Sequence, residues 1–435
     1  MGPAASSTPP QHAGRPSLRQ SDVGLWVAIS AGVAVAVAIR LALLPTEGFR
    51  PDLDQFVLWV HDVATAPLGE TYRQNLSFPP VMVYVFAALA AAEPAFRTTV
   101  AGSDPWIRTL MKAPATLADL GLAACVAYAL RERPRWAATA ALAILLNPAV
   151  WYLSAWWGQF ESIYVLPAAV AYLLAVSGRP VPAAVALGVS LMTKPQALPF
   201  LVPFAAWIVG RYGIRTGLAA GLTLVATVAL LWLPFAADGG PVDYLRNLGQ
   251  YQGGVFSVLS LRAWNLWWLV QQAAGGGFAS DAGRLVGPIT FRLMGYALAG
   301  LGELLVFVAV LRRPTTRALA LGLACATLVA FAFLTTMHER YAFAAIVFLA
   351  PLLPAPRIRW LWLALTITIT ANLVSAIPAT AALGAALPAT GALGVAGAVT
   401  MLALTAACLA LLLREPPASR RLTIGTGVSS LANPA

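Results

Sequence analysis

Charge is what these 435 residues have least of: Asp, Glu, Lys and Arg together make up 10% of the chain. Soluble domains carry about a quarter, so an ordinary cytosolic enzyme is excluded. Lysine is nearly absent: apart from Lys112 and Lys194, every basic residue is an arginine. The three cysteines, Cys125, Cys325 and Cys408, all sit inside apolar runs, which leaves neither a disulfide framework nor a zinc spacing. No small-residue cleavage site follows the first apolar run, so that run reads as a membrane helix and not as a secretory signal. Hydrocarbon replaces the missing charge, with 59% hydrophobic residues and a mean hydropathy of +0.75. The net charge of +11 is explained by membrane topology more economically than by nucleic acid, and no nucleic-acid partner is expected.

Residues 1–22, rich in Pro, Ser, Gln and Ala, read as a disordered cytoplasmic tail. Apolar segments follow at 23–44, 109–130, 136–153, 162–177, 180–193, 195–210, 216–235, 288–311, 318–336, 341–355, 360–378 and 390–413. This predicts an all-α polytopic protein of the cell membrane with about twelve transmembrane helices. Several segments fall short of the 20 or so residues that cross a bilayer upright. A further run, Val81 to Ala92, follows Pro79-Pro80 and is read as a surface helix. Counting it as a span would move the Arg131–Arg135 cluster outside, against the positive-inside rule. The expected topology therefore has both termini in the cytoplasm, with 414–435 as a second tail. Long outer segments run over 45–108 and 236–287, and loops of that length are usually functional.

The first outer segment opens with Arg50-Pro51-Asp52-Leu53-Asp54. Asp52 and Asp54 read either as charges offsetting a helix dipole or as working carboxylates. After the third apolar segment comes Trp156-Trp157-Gly158-Gln159-Phe160-Glu161. An interfacial aromatic girdle accounts for the tryptophans, but a glutamate beside so apolar a span needs a reason. Lys194, in Thr193-Lys194-Pro195-Gln196, is either a snorkelling side chain or a cation for an anionic headgroup. The densest polar cluster is Thr335-Thr336-Met337-His338-Glu339-Arg340-Tyr341; polar groups at membrane depth are costly and usually functional. His338-Glu339 lacks the second histidine of a metalloprotease helix, whereas Arg340 can grip phosphate with a bidentate fork. Asp119 and Glu303, inside spans, read as structural partners within the bundle. Tyr251, Trp264, Trp267 and Trp268 read either as a lipid grip or as an interfacial helix.

Five of these elements in order resemble the GT-C superfamily of polyprenyl-phosphate-sugar glycosyltransferases: the acidic motif after the first span, the Pro-Pro surface helix, Trp-Gly-Gln-x-acid, Lys-Pro-Gln, and His-Glu-Arg-Tyr. The resemblance runs along about residues 25–345 and looks toward the bacterial relatives of the dolichol-phosphate-linked mannosyl- and glucosyltransferases. It implies a conserved helical module over 23–235 with the catalytic loop at 45–108, surface helices in that loop, an outer loop at 236–287 and variable helices over 288–413. It implies Asp52 as the catalytic carboxylate and Asp54 as a second acid. Arg340, Lys194 and His338 would meet the donor phosphate, while Trp157, Gln159, Glu161, Gln196, Glu339 and Tyr341 would line the substrate site. Glu161 stands where the family motif often ends in Asp.

The expected partners are a polyprenyl-phosphate sugar donor, membrane lipid, and a lipid, glycan or protein acceptor on the extracytoplasmic face. No cofactor is required, although Asp52, Asp54 and Glu161 could hold a divalent metal if they converge. The alternative is a secondary transporter or lipid flippase. The absence of an evident repeat between the two halves and the clustering of acids in outer segments argue against it.

Overall fold

Proline and asparagine punctuate the chain into helices. In the computed structural model, which describes residues 20–416 apart from 255, many helices open on a proline in the first turn. There its missing N–H costs nothing, because the first turn has no partner for it. The first helices are α1 (Gln20–Leu43), α2 (Arg50–Thr65), α3 (Pro80–Ala92), α4 (Pro105–Ala129) and α5 (Pro134–Leu145). Then come α6 (Pro148–Trp151), α7 (Glu161–Val176), α8 (Pro180–Leu191), α9 (Leu201–Tyr212), α10 (Ile214–Ala236), α11 (Gly240–Gly254) and α12 (Leu266–Ala273). The last six are α13 (Phe291–Arg312), α14 (Thr316–Phe333), α15 (Phe343–Leu349), α16 (Pro356–Ala376), α17 (Ala381–Ala386) and α18 (Ala392–Leu413).

A helix stands in every one of the twelve apolar segments, but fewer are long enough to cross a bilayer. Seven qualify by length and composition: α1, α4, α10, α13, α14, α16 and α18. An eighth span is available if α5 and the segment from Pro148 to Trp157 count as one, bent by 43°. The bend falls at Asn147-Pro148, where Asn147 Oδ1 accepts from the Ala149 amide at 3.0 Å and starts a new helix. Helices α7, α8, α9 and α15 have 16, 12, 12 and 7 residues, too few to span upright. The chain is a multi-pass membrane protein. Seven or eight of the twelve expected spans therefore have full length, and the other segments are the short ones the sequence already showed. The expected tails fall largely outside the described residues, although α1 already begins at Gln20.

Helix α14 is the axis of the bundle: every residue from Ala318 to Ala332 is buried, as expected of a helix apolar on all sides. It packs against α13, α15 and α18, while α4 packs on α5 and α7, and α7 on α8. The segment after α1 builds its own core. Leu53, Phe56, Val60, Tyr72, Met82, Phe86 and Phe96 come together there with Phe160. The Phe56 and Phe160 rings lie 4.5 Å apart, and each buried aromatic contributes roughly 1.5–3 kcal/mol. Through Phe160 the loop is welded to the turn before α7.

Strands are few: β1 (Ser260–Leu261), β2 (Arg284–Val286), β3 (Ile289–Thr290) and β4 (Met337–His338). β2 and β3 form a hairpin. β1 and β4 pair in parallel, Ser260 with Met337 and Leu261 with His338, so the second long loop is tied directly to the polar cluster after α14.

Candidate active site

Asp52 lies in the first turn of α2. Gly48 delivers it: the backbone there is left-handed at φ +59°, and a Cβ would stand 2.2 Å from the Trp156 carbonyl oxygen. Only glycine fits both demands. Asp52 Oδ2 then accepts from Trp157 Nε1 at 3.0 Å and from Gln159 Nε2 at 2.5 Å. Among the described residues both bonds fall on this one oxygen, leaving Oδ1 for another partner. Asp54, two residues on and so on another side of the helix, turns elsewhere. It accepts from Arg50 Nη2 at 3.1 Å and from the Gly102 amide at 2.8 Å. That contact closes the loop and does not join Asp52.

The donors to Asp52 come from an unusual turn. Residues 152–157 form a π-turn that ends at Gly158 with φ +88°. The amides of Gly158 and Gln159 both reach the Leu153 carbonyl, at 3.0 and 2.8 Å. A Cβ on Gly158 would press on Lys112 and Leu53. Such π-turns are frequent at functional sites.

Glu161 follows, wholly buried at the start of α7. Its Oε1 takes Lys194 Nζ at 2.5 Å and faces Arg340 Nε at 3.4 Å. Its Oε2 has no hydrogen-bond partner among the described residues. Arg340 Nη1 donates to Glu339 Oε1 at 2.7 Å and meets His338 Nδ1 at 3.1 Å. The guanidinium also covers the rings of Trp157 and Tyr341, at 5.2 and 5.4 Å. Lys194 stands 5.4 Å over Tyr341, and Gln196 lies close to that tyrosine. Thr336 holds a left-handed φ of +59° just before this segment, a strained conformation for a β-branched residue.

The electrostatics follow from burial and pairing. Burial lowers the Lys194 pKa, with Glu161 working against it. Burial also lowers His338, and the adjacent Arg340 adds to the effect. The ring is therefore held neutral, with Nδ1 as acceptor toward Arg340 and a proton on Nε2. Burial pushes the Glu339 carboxyl up, but the Arg340 guanidinium beside it outweighs burial and holds the group at about 2. Burial works to lower Arg340, but Glu339 leads the surrounding groups that raise it above the usual arginine value. The charge of Asp52 reaches both Lys194 and Arg340. Two cations and three carboxylates thus share one centre beside a neutral imidazole.

No protein-family model matches this sequence, and no curated protein matches it either. Two crystal structures of ArnT from Cupriavidus metallidurans are similar to the chain at 16% identity. The one bound to undecaprenyl phosphate has a TM-score of 0.47, with 89% of this chain and 76% of that one covered. The apo structure has a TM-score of 0.45, with 91% and 78% covered.

Asp52, Trp157, Gln159, Glu161, Lys194, Gln196, His338, Glu339, Arg340 and Tyr341 therefore meet, although they are scattered over almost three hundred residues. Asp54 does not join them, and among the described residues no three His, Cys, Asp or Glu side chains are grouped to hold a metal ion. The tryptophans read either as a lipid grip or as an interfacial helix stand on and beside α12 and pack inward. Trp264, Trp267 and Trp268 are buried, Trp267 Nε1 donates to the Phe333 carbonyl, and Trp264 and Trp268 fill space beside Gly397 and Gly394 of α18. They pack the second loop onto the bundle.

Two groups had no role assigned from the sequence. Lys112, buried in α4, donates to the carbonyls of Thr46 and Leu43 at 2.7 and 3.3 Å, pinning the turn that leads to Asp52. Arg40, inside α1, pairs with Asp119 at 2.9 Å. A basic residue within an apolar run was the available signal for both, since such residues seldom lie in a span without a partner.

Proposed function

We propose that this protein is a membrane glycosyltransferase that moves a hexose, mannose in the first instance, from a polyprenyl-phosphate donor to a lipid, glycan or protein acceptor. The reaction takes place at the extracytoplasmic face of the cell membrane, with both termini in the cytoplasm. The module 23–235, with its loop 45–108, carries the base, and the later helices bring in the cationic segment at 338–341. The observation that carries this reading is the meeting of Asp52, one oxygen of which is unengaged among the described residues, with Lys194 and Arg340.

In this reading Asp52 takes the proton from the acceptor hydroxyl as its oxygen attacks the anomeric carbon. The bond from that carbon to the phosphate oxygen breaks, and the lipid phosphate leaves as an anion. Attack opposite the leaving group inverts the anomeric centre. A phosphate needs no strong acid to depart, but it needs positive charge where its negative charge gathers. Arg340 supplies a bidentate fork and Lys194 a point charge, and neutral His338 offers its Nε2 proton as a hydrogen bond. Trp157 and Gln159 aim Asp52, while Glu161 and Glu339 hold the two cations apart from bulk solvent. Gln196 and Tyr341 complete the wall around them. No metal is required for these steps.

The test is to incubate purified protein with radiolabelled polyprenyl-phosphate mannose or glucose and a membrane extract. Transfer of label into a new product supports an enzyme. Movement of intact donor across a proteoliposome membrane without transfer replaces it with a transporter.

A further inference from the structure

The segment from Trp157 to Glu161 supplies both donors to Asp52 and the carboxylate that pairs Lys194, yet a regular helix does not hold it. It leaves a π-turn, reverses through left-handed Gly158 and only then enters α7. Its two ends are fastened to one group. Ser154 Oγ donates to Asp119 Oδ2 at 2.6 Å, and Ser162 Oγ donates to Asp119 Oδ1 at 2.5 Å. Ser154 stands three residues before Trp157, and Ser162 follows Glu161 directly.

Asp119 is wholly buried in α4. Arg40 of α1 balances its charge, donating to Oδ2 through Nε at 3.2 Å and Nη2 at 2.9 Å. Arg40 is fixed in turn: Nη1 reaches the Ala36 carbonyl at 3.1 Å and the Leu145 carbonyl, at the end of α5, at 2.8 Å. Bulk packing needs no buried ion pair, and apolar residues of similar volume would serve at no loss of stability. What the carboxylate does that they could not is bind two hydroxyls in fixed directions at once.

We infer that Asp119, through Ser154 and Ser162, is a positioning residue that sets the distance between the Asp52 base and the Glu161–Lys194–Arg340 cluster. It touches no reacting atom. The inference rests on the glycosyltransferase reading and adds the device that keeps the base and the leaving-group cations in register. A displacement of about 1 Å at reacting groups costs up to about a hundredfold in rate.

The serines make the test clean, because Ser→Ala removes a single hydroxyl and leaves the buried Arg40–Asp119 pair intact. Full-length protein carrying Ser154→Ala, Ser162→Ala or both is assayed for sugar transfer, with thermal unfolding followed in the same detergent. Turnover should fall about tenfold for each and approach a hundredfold for the pair. KM for the donor and the unfolding temperature should hold, and Ser162→Thr, which restores a hydroxyl, should recover most of the rate. In a Glu161→Gln background Ser162→Ala should add little, since the serine acts through that glutamate. Hydrogen exchange over residues 157–161 should quicken in the double variant while the rest of the chain is unchanged. Full turnover in the double variant, a loss that adds undiminished to Glu161→Gln, or unchanged exchange would each overturn the inference and leave the enzyme reading standing. Absence of transfer by the unmodified protein would overturn the enzyme reading itself, and the inference with it.

Discussion

Replacing Asp52 with Asn separates aim from proton acceptance. Trp157 Nε1 and Gln159 Nε2 both donate to Oδ2, and the single carbonyl oxygen of an asparagine can accept both. Its NH2 then takes the place of Oδ1, the oxygen with no bond among the described residues. The position keeps its shape and its two hydrogen bonds. These become neutral acceptors, about half as strong as charge-assisted ones, so the folded state should lose on the order of 1 kcal/mol. The catalytic loss should be much larger, roughly two to four powers of ten in kcat, which corresponds to about 3–5 kcal/mol on the barrier. The assay is initial-rate sugar transfer at saturating donor, alongside donor binding at equilibrium, which should change little. Asp54→Asn is the control, because it loosens the Arg50 and Gly102 contacts. It should lower the unfolding temperature while kcat holds. If the two variants exchange these phenotypes, Asp54 is the base. If both turn over at the wild-type rate, the carboxylate mechanism is wrong.

Three further outcomes are expected. Arg340→Ala should raise the donor KM far more than Arg317→Ala, whose guanidinium pairs with Glu415 instead, and Arg340→Lys should rescue only in part; equal effects would remove Arg340 from the phosphate. In a background freed of native cysteines, Cys at position 73 or 243 should react with an impermeant thiol reagent from outside, and Cys at 133 or 313 should not. Labelling at 133 in intact cells would invert the proposed topology. The carboxyl of Glu339, held at about 2 in the fold against about 4.5 in the unfolded chain, stabilises the fold fully above pH 4.5, and that stability is lost as the pH falls from there toward 2. Glu339→Gln should flatten this acid limb of the unfolding curve, and an unchanged limb would assign it to other groups.

Which residues come together was more legible in the sequence than how many helices cross the membrane. Asp52, Trp157, Gln159, Glu161, Lys194 and the 338–341 run stood out because each is a polar group, or an aromatic beside one, at the edge of an apolar run, and the fold brings them to one place. Asp54 lies apart from that place, because spacing in sequence does not say which side of a helix faces the site. Hydropathy registers composition, so it passed over the bend at Asn147-Pro148 and left open whether the short runs after Pro180 and Pro195 cross the bilayer. Arg40 and Asp119 are 79 residues apart, and no local pattern announces such a pair. The tryptophans at 264, 267 and 268 have the composition of an interfacial helix, and only the contacts of Trp264 and Trp268 with glycines of α18, and of Trp267 with Gly295 of α13, show that they are core.

The arrangement of the site also imposes an order on biosynthesis. The groups that bond Asp52 and the Asp119 serines beside them lie within the first 162 residues, whereas Arg340 is made almost 180 residues after Glu161. At roughly 5–20 residues per second that interval is about nine to thirty-six seconds. Through it the carboxylates of Asp52 and Glu161 are already made, and Lys194 is the one cation of the cluster to join them before Arg340. The β1–β4 pairing then joins Met337–His338 to a loop already synthesised, so the cationic segment docks onto a template that preceded it.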